Sequence, residues 1–291
     1  MLKVVLTHDV DRIDKTFQYL THCKSNLQQI YSRDFRSWLS NIFNRNVYFM
    51  IKDVLQIEEK LGVKSTFFFL NETMPFDLFN KSNWPLSLGY YSLNDARLKK
   101  IYPAILSGGW EIGLHGSFLS YKDAGLLIKE KNILEDAIES SVSGIRQHFL
   151  NLTENTWANQ EKAGFKYDAS WGHTRTIGFK DNIYKEFSPL ENKDFKVVPL
   201  ALMDYCVMQL KDYVPKVVDI IEECVSNDGV LVINWHQRTF NEFEFPNYRK
   251  TYTEIVQLCK SYNASFYTLI DYLNREKVSG PEKTRDKNFH K

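Results

Sequence analysis

The sequence predicts an α/β fold, a distorted (β/α) barrel of about seven parallel strands, on three observations. Short apolar runs alternate with longer segments of helical period along the chain. Glycines close several of the helical segments, where the chain has to turn back towards the sheet. No strand is followed by a glycine-rich phosphate loop, which argues against an open nucleotide-binding sheet.

The elements follow in order. Leu2–Leu6 is a short apolar run ending in polar residues and reads as the first strand. Residues 12–46 form an insertion, largely helical, that carries Tyr31, Phe35 and Trp38. Residues 47–61 have a helical period closed by Gly62, and Ser65–Leu70 is β-branched and aromatic, hence a second strand. Residues 71–94, with Pro75, Trp84, Pro85, Tyr90 and Tyr91, are a second insertion. Both insertions leave the C-terminal ends of strands, where barrel enzymes build their sites. A helix over 95–107 is broken by Gly108-Gly109, and Trp110–Leu114 is the third strand. A helix over 122–141 leads to the strand Gly144–His148. A helix over 153–163 stops at Gly164 before a strand at Phe165–Asp168. Lys196–Leu200 is the next strand, and a helix over 213–226 leads to Gly229–Trp235, the clearest buried strand in the chain. A helix over 248–261 and a strand at Ser265–Tyr267 close a single domain spanning 1–276. Residues 277–291 are charged and poor in aliphatics, and are expected to be a disordered tail.

Composition excludes several classes of function. The chain has 291 residues, 43% hydrophobic and 25% charged, as in an ordinary globular domain with a large core. A formal net charge of +1 gives no electrostatic case for nucleic acid or an anionic membrane. No apolar run approaches the ~18 residues of a membrane span. The N-terminus has no signal-peptide pattern, so a cytoplasmic location is expected. Cys23, Cys206, Cys224 and Cys259 lie at no metal-ligand spacing and read as buried thiols of a reducing compartment.

The chemistry gathers at strand ends. The first strand ends in Thr7-His8-Asp9-Val10-Asp11, the third in His115-Gly116-Ser117, the fourth in Arg146-Gln147-His148, and the last long one in Trp235-His236. Barrel closure brings these distant segments to one rim. Asp9 and Asp11 are two apart, so strand geometry points both to one side and His8 to the other. Two such carboxylates either share a cation or cap the following helix. His115 and His148 end consecutive strands ~4.8 Å apart, close enough to reach one ion. Two imidazoles and a carboxylate with an open position suit a hydrolytic zinc ion or another first-row metal. His115 alone could also be a core histidine. Arg146 is either a surface residue or the partner of a strand-one carboxylate, and His236 is either structural or part of the site.

Together these segments resemble the polysaccharide deacetylase (NodB-homology) family, carbohydrate esterase family four in the broad sense. Thr7-His-Asp-Val-Asp11 resembles its first motif, Glu111-Ile-Gly-Leu-His-Gly-Ser117 its second, Arg146-Gln-His148 its arginine motif, and Val230–His236 its last. Lys64–Phe69 matches the strand between the first two. The resemblance spans about residues 2–275. It implies a seven-stranded barrel that removes acetyl groups from N- or O-acetylated sugars. It implies Asp9 as general base, Asp11 and His115 as metal ligands, Arg146 as the residue that orients and ionises Asp9, and His236 as general acid. The chain departs from the pattern at Leu119, where a second motif histidine would stand four residues after His115. His148 is the substitute that strand adjacency offers as third ligand. Ser117, Trp171 and Trp235 are expected to contact substrate. Two other readings stay open: a metal-dependent amidase acting on a non-sugar substrate, and a non-catalytic glycan-binding protein with a degenerate site.

Overall fold

β1 (Lys3–Val10) is the centre of the fold, and seven of its eight residues are buried. It runs past Leu6, where the apolar run ends, because each polar side chain beyond that point finds a buried partner. Thr7 Oγ1 donates to the Ile233 carbonyl at 2.9 Å, His8 Nε2 lies 2.9 Å from Glu58, and Asp9 Oδ1 accepts from Arg146 at 2.9 Å. The structure is a computed structural model describing residues 1–15, 47–80 and 83–279. The expected helical insertion at 12–46, with Tyr31, Phe35 and Trp38, therefore lies almost wholly outside the described residues, and so does Cys23.

Around β1 the strands are β2 (Ser65–Leu70), β3 (Glu111–Gly116), β4 (Gly144–Gln147), β5 (Tyr167–Asp168), β6 (Lys196–Val197), β7 (Leu202–Met203), β8 (Val230–Asn234) and β9 (Ser265–Tyr267). Their order is β6-β5-β4-β3-β2-β1-β8-β7, with β9 on the first residues of β1, and every ladder is parallel. The sheet curls into an incomplete barrel, and no ladder joins β6 to β7 among the described residues. β7 is the strand that the sequence reading lacks, because two residues are too short to show a period.

Nine helices are described: α1 (Ile51–Leu61), α2 (Trp84–Ser87), α3 (Ala96–Ser107), α4 (Ala124–Ile138), α5 (Thr156–Lys162), α6 (Asp204–Val207), α7 (Tyr213–Ser226), α8 (Tyr248–Ser261) and α9 (Leu269–Ser279). α1 buries Ile51, Val54, Leu55, Ile57 and Leu61 along one face and ends at Gly62, whose φ of 62° is the left-handed cap that glycine supplies. Asp95 and Asp123 cap α3 and α4 by accepting from Arg97 N–H and Leu126 N–H. α9 runs to Ser279, so residues 277–279 are helical rather than part of the expected tail, and 280–291 lie outside the described residues.

The strands alternate between two apolar regions. Leu6, Phe67, Leu114, Ile145, Leu231 and Ile233 face the helices. Val5, Phe68, Tyr167, Val198, Val230 and Val232 fill the barrel interior. The same alternation carries Thr7, Asp9, His115, Arg146 and Asn234 inward above that interior core. Phe68 forms its top, with the Arg146 guanidinium 4.6 Å from the ring centroid. Gly144 leaves room for the interior: a Cβ there would lie 1.8 Å from the Tyr167 ring.

Candidate functional site

A cavity of about 550 Å³ opens at the C-terminal ends of the strands. Asp9, Asp11, His115, His148 and His236 line it, and Arg146 is fully buried beneath Asp9. Among the described residues, Asp11, His115 and His148 form a group whose ligand atoms all lie within 4.8 Å of one another.

Asp9 is held at both oxygens. Oδ1 accepts from Arg146 Nη1–H at 2.9 Å, and Oδ2 accepts from Asn234 Nδ2–H at 2.7 Å. Arg146 is itself fixed by donating to Thr7 Oγ1 and to the Ala169 carbonyl, each at 2.9 Å. Burial pushes the Asp9 carboxyl up, but Arg146, His115 and His236 outweigh it and hold it below the usual carboxylate range.

Asp11 follows the end of β1. One oxygen accepts from Arg238, and the other is buried without a hydrogen-bond partner, 3.3 Å from His115 Nε2. Burial raises the Asp11 carboxyl, but Arg238 and His236 hold it well below the ordinary value. His115 Nδ1 lies 2.8 Å from the Arg146 carbonyl, so Nδ1 carries a proton there. Burial lowers the imidazole but Asp9 and Asp11 raise it above its ordinary value, and in its neutral form Nε2 offers its lone pair to the cavity. The His115 and His148 ring centroids are 5.2 Å apart. His148 Nδ1 is buried with no hydrogen-bond partner and lies 3.7 Å from Glu72, an ion-pair distance. Burial pushes the His148 imidazole down and favours the neutral, ligating form. The Glu72 carboxylate also accepts from Phe118 N–H at 3.0 Å, which ties it to the loop after β3. An unpartnered carboxylate oxygen and two imidazoles aimed at one point fit a divalent cation. After His148 the chain enters the left-handed region twice, at Phe149 (φ 58°) and Leu150 (φ 55°). Two consecutive residues without glycine's freedom are strained there, and they set Phe149, 57% exposed, into the cavity wall.

His236 lines the same cavity, two residues past the end of β8. Its Nδ1 is 2.9 Å from Asp204 Oδ1, its backbone N–H donates to Asp204 Oδ2 at 2.9 Å, and its Nε2 is 3.5 Å from Asp11. Burial lowers the imidazole, but Asp204 and Asp11 raise it to about 9.

Three residues expected to contact substrate lie elsewhere. Trp235 follows β8 on the helix-facing side of the alternation. Its ring is fully buried, 5.7 Å from that of Tyr252 and 6.3 Å from that of Tyr248. Ser117 is buried and its N–H donates to Glu130 of α4. Trp171 packs against Trp157 and Phe187, with Lys180 over its ring. None of the three lines the cavity. The structure instead puts Arg238 in the lining and sets Glu72, Asp204 and Asn234 against His148, His236 and Asp9. Asn234 is legible from the two-residue period, being on the same face as His236 while Trp235 is opposite. Glu72 sits two residues past the end of β2, where a strand-end carboxylate is a signal. Arg238 follows His236 by two residues on the 3-10 turn Gln237–Phe240. Asp204 opens α6 straight after β7, and a two-residue strand leaves no pattern that points to it.

No family model matches the chain, and no curated protein does. Solved structures do. A protein named as a polysaccharide deacetylase from Mycobacterium smegmatis is 16% identical with a TM-score of 0.58, over 96% of this chain and 91% of that one. Another so named, from Pseudomonas aeruginosa PAO1, is 13% identical with a TM-score of 0.58, over 96% and 91%. A 4-alpha-glucanotransferase from Thermococcus litoralis is 14% identical with a TM-score of 0.52, over 94% of this chain and 40% of that one. The chain has the fold of the polysaccharide deacetylases, the fold that its sequence motifs also resemble. That a glucanotransferase shares it means that the reaction has to be argued from the site. No helix among the described residues is long and apolar enough to cross a membrane.

Proposed function

We propose that the protein is a metal-dependent hydrolase that removes an acetyl group from an N- or O-acetylated sugar. The observation that carries this reading is the convergence of Asp11, His115 and His148 beside a carboxylate held anionic and an imidazole held protonated. Asp11 through its free oxygen, with His115 and His148, would hold a divalent ion, zinc before others. The low position of Asp9 makes it a weak base, so it needs a water of lowered pKa, which is the chemistry that a divalent ion supplies when bound. Asp9 would take a proton from the water that attacks the acetyl carbon, while Arg146 and Asn234 keep the carboxylate in place. Asp204 accepts from Nδ1–H of His236 and, with Asp11, favours the imidazolium, so Nε2 carries a second proton that it would give to the departing sugar nitrogen or oxygen. The pair has the separated protonation states that acid–base catalysis needs, one group deprotonated and one protonated near neutrality.

Metal content of the purified protein, beside His115→Ala and His148→Ala, tests the ligand set. About one equivalent of zinc, cobalt, nickel or iron in the wild type, lost in both variants, is the expected result. Loss in His115→Ala alone makes His148 a bystander. No metal in the wild type after soaking, with no acetate released from acetylated oligosaccharides, overturns the hydrolase reading. It favours instead a non-catalytic glycan binder, in which Arg238 is the lasting cation on Asp11.

A further inference from the structure

Among the described residues, the charged groups of the cavity pair off, save Arg175. Arg146 faces Asp9, Arg238 faces Asp11, and Asp204 faces His236. Arg175, on the loop after β5, also lines the cavity. It is exposed, and among the described residues it makes no hydrogen bond and no ion pair. Among the described residues the carboxylates in the lining are Asp9 and Asp11, each already beside a guanidinium. The chain as a whole is near neutral, at +1, so this spare cation does not reflect a generally basic surface. Thr174, beside Arg175 in the chain, also lines the cavity, and Phe149 and Leu150 supply apolar lining for a sugar ring. The volume, about 550 Å³, leaves room for more than an acetamide group.

We propose that the acetylated sugar taken by this cavity carries an anionic group, a carboxylate or a phosphate, and that Arg175 binds it. The proposal rests on the deacetylase reading for the acetylated sugar, and on Arg175 for the anion. A guanidinium presents paired N–H donors that match a carboxylate or a phosphate, which makes the contact selective as well as attractive. Arg175 is therefore a specificity residue, and it takes no part in the proton transfers assigned to Asp9 and His236.

Calorimetry on the full chain with three probes tests this: an N-acetylhexosamine, its 1-phosphate, and the corresponding N-acetylhexosaminuronate. One anionic probe is expected to bind about tenfold more tightly than the neutral sugar. The gain should shrink as salt is raised. Arg175→Gln should remove it, and Arg175→Lys should restore part of it. Which probe gains tells phosphate from carboxylate. Equal binding of all three, or a preference that survives Arg175→Gln, overturns the proposal. Acetate release from the same probes keeps the two readings separate. Anion preference without release overturns the deacetylase and leaves the anion site standing. Release without preference does the reverse.

Discussion

On the outer face of β1, His8 meets Glu58 in a sealed pocket between the sheet, α1 and α8. The two ring nitrogens of His8 face two acceptors, the Trp235 carbonyl at 2.6 Å and Glu58 at 2.9 Å. Glu58 in turn takes donors from Ser65 at 2.8 Å, from Trp110 at 2.6 Å and from Tyr252. One residue further, on the inner face, Asp9 sits among Arg146, Asn234 and His115, and near it an Asp11 oxygen and a His148 nitrogen have no hydrogen-bond partner. Both regions are built of histidine and carboxylate, and both are buried. They differ in whether the bonding is complete. A network with every acceptor taken has nothing left to give a ligand and serves the fold. A cluster with unsatisfied atoms, opening on a cavity, is strained without a ligand and suited to one.

Substitutions on the two faces should therefore fail in opposite ways. Asp9→Asn keeps the shape and the bond to Arg146 but removes the proton acceptor. Turnover should fall by about 10²–10⁴-fold, with metal content unchanged. Full turnover in that variant would remove Asp9 from catalysis and collapse the distinction between the two faces. Glu58→Ala should do the opposite. It leaves buried donors on His8, Ser65, Trp110 and Tyr252 without an acceptor, so unfolding stability should drop by about 3–5 kcal/mol in denaturant titration. The folded fraction at low temperature should still hold its metal, because no atom of Glu58 touches the cavity. Glu58→Gln keeps the volume and part of the bonding and should lose less. A Glu58→Ala protein that is stable but metal-free would show that the outer network belongs to the site.

The alternation that separates these faces was legible in the sequence, and so was most of the fold. Asp9 and Asp11 two apart, with His8 between, place themselves as soon as the strand is recognised. What strand periodicity does not reach is the irregular chain beyond the strand ends. Trp235 is expected to contact substrate, yet the period of two turns it into the core and puts Asn234 on Asp9. Trp171 packs between Trp157 and Phe187, contacts between irregular segments that strand periodicity does not reveal. Asp204 is out of reach, because its position depends on β7, a strand of two residues that the chain reaches by crossing the open side of the barrel from β6 to pair with β8. Glu72 is within reach, because the rule that gathers Asp9, Asp11, His115, His148 and His236 at strand ends applies equally to a carboxylate two residues past β2.

The smallest effect sharpens the comparison most, because it concerns a histidine–carboxylate pair on the site's own side. His236 and Asp204 are bonded as closely as His8 and Glu58, at 2.9 Å, but Nε2 of His236 faces the cavity. Burial alone would lower the imidazole, and Asp204 and Asp11 together raise it to about 9. The sign follows from the protonated form being the working acid: it is present below that value and lost as pH rises through it. Activity should therefore fall on an alkaline limb near 9, or lower once a cation near Asp11 offsets part of that carboxylate's attraction. Asp204→Asn removes the larger of the two attractions and keeps the side chain's shape. The limb should move down by about 1–3 pH units, a range set by one close opposite charge. An NMR titration of His236 in the metal-free protein should follow the same direction, which separates the acid's own ionisation from any loss of metal. A limb that stays in place in Asp204→Asn, with His236 titrating unchanged, would mean that His236 is held as His8 is held, for the fold, and that another group protonates the leaving atom.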